Sequence, residues 1–171
     1  VSLLTSGLFG SGPRGILFEE SAFGVTTAII DTITVNNNSI FLSELASQSQ
    51  VSIGIGCIYI NGYININGNT IRQLPGTTSF SGGYIAGITI TSKYGDIFNN
   101  TVSNFNLNGS SGVFRGIRTV VAYSDSISVT GNTVEGISWE NGFSNGSKNI
   151  DAISSSTSIA NSNTSTIIVT N

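Results

Sequence analysis

The sequence predicts an all-β chain folded as a parallel solenoid, a single domain (1–171) of about five coils of ~31 residues. Three observations predict it. First, a triplet of Asn, then Thr or Ser, then usually Ile or Val keeps returning: Asn38-Ser39-Ile40, Asn69-Thr70-Ile71, Asn100-Thr101-Val102, Asn132-Thr133-Val134, and a decayed Asn163-Thr164-Ser165. Its asparagines lie 31, 31, 32 and 31 residues apart, a period in the range of stacked-repeat architectures. Second, a small apolar residue stands three positions before each one: Val35, Ile66, Ile97, Val129 and Ala160. Third, only 9% of the residues are charged, against roughly 25% in ordinary soluble domains. Gly, Ser, Thr and Asn supply the polarity instead, and they suit turns and β-surfaces better than helix interiors.

Taken in order, five segments align: 24–40, 56–71, 87–102, 116–134 and 149–165. Each opens on Gly (Asn in the last) and a short apolar run, such as Cys57-Ile58 or Ile88-Thr89-Ile90. A polar or glycine break follows, as in Asn61-Gly62 and Lys93-Tyr94-Gly95. An alternating run then leads into the triplet, clearest in Tyr63-Ile64-Asn65-Ile66 and Ser126-Ile127-Ser128-Val129. Alternation of this kind marks a strand with one buried face. Stretches rich in Ser, Gly and Asn at 43–50, 74–83, 103–112 and 136–148 read as loops.

A unit this short cannot bury its apolar face alone, whereas stacked units form one continuous core. Like residues then fall in columns spaced by the ~4.8 Å of strand pairing. Asn38, Asn69, Asn100, Asn132 and Asn163 become a structural ladder, their amides bonding up and down the column as in cross-β stacks. Asn also tolerates the left-handed conformation of a tight turn. A sandwich or barrel is the competing all-β arrangement, but it leaves the in-phase triplets unexplained.

The runs ININGNTI (64–71), DIFNNTV (96–102) and SISVTGNTV (126–134) resemble the repeats of right-handed parallel β-helix proteins of the pectin-lyase-like architecture. The resemblance covers about 24–165 and points to no specific family. It implies the right hand and a three-faced coil, which spacing alone does not give.

The resemblance also reaches polysaccharide lyases and hydrolases, so acids were sought at matching phase. Glycoside hydrolysis needs two carboxyls roughly 5–10 Å apart. Asp31 and Asp125 share a phase but stand three coils apart, and Asp96 has another phase. The closest match to a lyase set is Asp96 and Asp125 with Arg115 and Arg118. Arg118 lies in an alternating strand and needs no catalytic role. No catalytic residue, cofactor or metal is therefore expected: the chain has no His, and the clustered oxygens that hard cations want are missing. Cys57, the one cysteine, sits in an apolar run and reads as a small buried hydrophobe.

Two surface features stand out. Trp139 and Phe143, in a Gly/Asn-rich stretch, are candidates for ligand contact or for covering an end of the core. Ser39, Thr70, Thr101, Thr133 and Thr164 form a hydroxyl column comparable with ice-binding arrays, though such arrays use two hydroxyl residues per coil.

The six basic residues are scattered and the net charge is −3, so a nucleic-acid partner is not expected. No apolar run approaches the ~20 residues of a membrane span, so no insertion is expected. The chain lacks Met even at residue 1 and reads as a processed product or a piece of something longer. The expected role is a non-catalytic β-helix of a secreted or cell-surface protein: an adhesin, stalk or filament subunit that pairs with copies of itself through its ends. A carbohydrate-active or polysaccharide-binding β-helix is the alternative, and an ice-binding surface the third reading.

Overall fold

The computed structural model describes residues 14–19, 32–43, 50–77, 79–80, 83–108, 112–122, 126–140, 148–158 and 166–170. Within these, twelve strands wind into a three-faced β-solenoid. The first face stacks β1 (Arg14–Glu19), the first half of β4 (Gln50–Asn67), the first half of β6 (Gly83–Phe98), β8 (Gly112–Ala122) and β11 (Lys148–Ser158). The second face stacks β2 (Thr32–Asn36), the second halves of β4 and β6, β9 (Ser126–Thr130) and β12 (Thr166–Thr170). The third stacks β3 (Ser39–Leu42), β5 (Thr70–Gln73), β7 (Thr101–Leu107) and β10 (Thr133–Trp139).

All the pairings between these strands are parallel, which excludes the sandwich. Three coils are complete on all three faces: those of β4–β5, β6–β7 and β8–β10. Strands β1 to β3 and β11 to β12 supply parts of two more, so the expected five coils stand as three full turns with flanking strands at either end.

The expected breaks at Asn61-Gly62 and Lys93-Tyr94-Gly95 are corners rather than chain interruptions. β6 pairs β8 up to Ser92 and β9 from Gly95 onward. At that bend the buried Ser92 hydroxyl donates to the Tyr94 carbonyl at 2.8 Å. A polar corner residue supplies the carbonyl with a partner that a straight strand would not.

The core is a set of columns. Val35, Ile66, Ile97 and Val129 are mutually in register and buried, as the spacing predicts. Ile16, Ile55, Ile88, Ile117 and Ile153 form a second column on the first face, and Ile40, Ile71, Val102 and Val134 a third. Where the third face turns back toward the first, Phe80, Phe105 and Phe114 fill the angle with ring centroids 5.8 and 5.2 Å apart.

The glycines that open each repeat need correction. The column that matters is Gly54, Gly87 and Gly116, joined by Gly15, with Ala152 next in line; Gly56 and Asn149 belong to other columns. A Cβ at Gly87 would lie 2.6 Å from the Gly116 carbonyl oxygen and 2.6 Å from Val102. Here the first face touches the third-face triplet residue, and no side chain fits between them.

The first-face register steps by 39, 33, 29 and 36 residues from Arg14 through Ile53, Ala86 and Arg115 to Asp151. The ladder step on the far side stays at 31 or 32. Variation in coil length is therefore taken up after the third face.

Two expected loops, 103–112 and 136–148, begin as strand instead: β7 runs to Leu107 and β10 to Trp139. Asn104 (φ 58°) and Gly136 (φ 63°) are left-handed and stack on each other, shifting the alternation by one so that Val102 and Phe105 both face inward. A pattern search reads that shift as loss of strand.

The glycine contact predicts a difference between two similar substitutions. Gly87→Ala meets backbone and should cost about 1–3 kcal/mol in urea unfolding. Gly56→Ala meets only the tip of Leu17, which can rotate aside, and should cost less. Equal costs would show that the faces are not in contact at Gly87.

Candidate functional site

The asparagine column is the most fully bonded feature of the described chain. The oxygen of each asparagine accepts from both the backbone N–H and the amide NH2 of the asparagine one coil earlier. Asn69 serves Asn38, Asn100 serves Asn69 and Asn132 serves Asn100, all at 2.9 Å. Their amides also reach back to the apolar column: Asn69 to the Val35 carbonyl (2.7 Å), Asn100 to Ile66 (2.9 Å), Asn132 to Ile97 (2.8 Å). The two sequence signals are thus the two ends of one hydrogen bond. Asn163 lies outside the described residues.

The turn chemistry corrects one expectation. The left-handed residue is not the ladder asparagine but the one before it: Asn37, Gly68, Asn99 and Gly131, at φ between 55° and 66°. Asn and Gly alternate there because each asparagine amide lies over the glycine of the next coil. A Cβ at Gly131 would meet Asn99 Oδ1 at 2.9 Å.

Trp139 lies in β10, not in a loop, and is 8% exposed among the core residues, with Lys148 Nζ 5.3 Å from its ring centroid. It covers the core end beyond Leu107, its register partner. Phe143 is outside the described residues.

The hydroxyl column of Ser39, Thr70, Thr101 and Thr133 is in register. Two residues along, its neighbour is Phe41, Arg72, Ser103 and Glu135, so no two-column hydroxyl array forms on this face. The Thr-x-Thr runs are of no help, since Thr89 and Thr91 are buried. Thr164 is outside the described residues.

Asp96 and the arginines are separated by the corner between Ser92 and Gly95. Asp96 sits on the second face, where it accepts a short hydrogen bond from the Tyr63 hydroxyl. That bond, then burial and the carboxylate charge, pushes the Tyr63 phenol up to about 12. Arg115 and Arg118 sit on the first face, in β8, with Asp151 Oδ2 3.5 Å from Arg115 Nε. Asp31 and Asp125 lie outside the described residues, and among the described ones no three of His, Cys, Asp and Glu gather. Tyr84, which both arginines approach, was missed from sequence; it becomes visible only once β6 and β8 are placed in register.

Cys57 is fully buried in the first-face core, and burial pushes its thiol from 9.0 to about 12.

Together, fold and ladder define a parallel β-solenoid. No family model, no curated protein and no solved structure matches the chain.

Two outcomes follow. Asn100→Ala should cost about 1–3 kcal/mol, because it strands the Ile66 carbonyl and the Asn69 N–H in a dry column. Asn38→Ala, half-buried, should cost less by the same urea titration. Cys57 should resist alkylation at pH 8 in the native protein and react once it is unfolded. Since its folded value is raised, its contribution to stability is complete below the unfolded thiol's pKa near 9 and is lost as pH climbs toward 12.

Proposed function

We propose that this solenoid is a non-catalytic structural element of a secreted or cell-surface protein, a stalk, adhesin or filament subunit. The observation that supports it is the use made of the repeated residues. Asn69, Asn100 and Asn132, the Val35–Val129 column and the glycine column all spend their side-chain chemistry on the neighbouring coil. Such repetition lays out rigid surface from nearest-neighbour contacts.

Self-association through the ends belongs to the same reading. Among the described residues β1 and β11 are the outer strands of the first face and β3 and β10 those of the third, each paired on one side. Unpaired strand edges template further strands.

Analytical ultracentrifugation of the native protein at low micromolar concentration should show elongated species larger than the 17.8 kDa chain. A stable monomer of that mass overturns the assembly.

A further inference from the structure

The outer side of the first face carries two cations that one carboxylate does not balance. Ala86 pairs with Arg115 and Thr89 with Arg118, so both arginines rise one coil beyond β6. Both side chains run back toward Tyr84 on β6: the guanidinium carbons lie 5.8 and 5.7 Å from its ring centroid. They cross the coil that holds Ala86 and Thr89, two outward-facing residues that are nonetheless 0% and 4% exposed.

Asp151 serves Arg115 alone, and Arg115 Nη1 also donates to Ser154 Oγ at 3.4 Å. The contact recorded for Arg118 is the aromatic ring. Around it, Tyr84 Oη, Thr89 Oγ1 and Arg118 Nε are buried without a hydrogen-bond partner. Buried polar atoms are nearly always paired, so three in one patch ask for a ligand. Converging guanidiniums specify its charge, since planar N–H forks match an oxyanion.

We propose that Arg115, Arg118 and Tyr84 form a binding site for the oxyanion of an acidic glycan, a sugar carboxylate or sulfate. Recognition here runs through side chains, because β6 is paired on both sides, by β4 and β8, and β8 by β6 and β11. A peptide therefore finds no free backbone to add to as a strand. What is offered is two guanidiniums, an aromatic ring and the hydroxyls of Tyr84 and Thr89, the groups that meet a charged sugar ring and its neighbouring hydroxyls. The site stands independently of the structural role proposed above.

Calorimetric titration of the full chain with a short sulfated oligosaccharide, a short uronic-acid oligosaccharide, inorganic sulfate and a polyglutamate peptide tests it. One or both acidic saccharides should bind, more weakly as salt rises. Arg118→Gln should lower that affinity at least about tenfold. Arg72→Gln, which removes the same charge from the third face, should leave it unchanged.

Amide and Tyr84 ring chemical shifts of the wild-type protein should move on saccharide addition, a readout that needs no substitution to fold. The proposal is overturned if neither saccharide binds, if Arg72→Gln weakens binding as much as Arg118→Gln, or if saccharide shifts map elsewhere. It is equally overturned if inorganic sulfate or polyglutamate binds as tightly as the saccharides.

Discussion

A primary amide taken out of water needs partners for two donors and an oxygen, and leaving any of them bare costs more than the bond would have contributed. A solenoid meets that demand in one way: it puts another amide directly above and below. Asn69 and Asn100, each 1% exposed, are tolerable in the interior only because the coil before and the coil after present the same residue at the same height. The whole winding has to keep step for this. A coil that gained one residue between the apolar column and the ladder would break two bonds at once, the one to the neighbouring amide and the one to the Val35, Ile66 or Ile97 carbonyl. Pitch and register on the second and third faces are therefore set by the asparagines.

The first face obeys a looser rule. Its contact with the third is steric, a bare glycine against the methyls of Ile71, Val102 or Val134. Sterics fix the separation of the faces but not the length of chain that reaches them, so that side accepts register steps from 29 to 39 residues. Ladder and glycine contact divide the work: one holds the coils in phase, the other holds the faces together.

This division explains what could be read from the sequence. The triplets and the apolar residue three before them recur at a constant step, so architecture, strand alternation, the buried column and the ladder were all legible. The glycine column was not, because its spacing is irregular and Gly56 competes with Gly54 in a run where glycine and isoleucine alternate. The ends of β7 and β10 were hidden by Asn104 and Gly136, whose left-handed backbone shifts the alternation without ending the strand. Trp139 was marked out by residue type but placed in a loop. The Arg115, Arg118 and Tyr84 cluster joins residues from different coils, about 30 positions apart, and only the first-face register brings them together.

The ladder also has a direction. Each oxygen accepts from the coil before it, never from the coil after. The amide dipoles consequently add along the column rather than cancel, and each bond polarises the next. The solenoid is a polar rod, with acceptors leading at one end and donors at the other. A further coil can extend this column only in the same orientation, and an inverted one would bring like ends together.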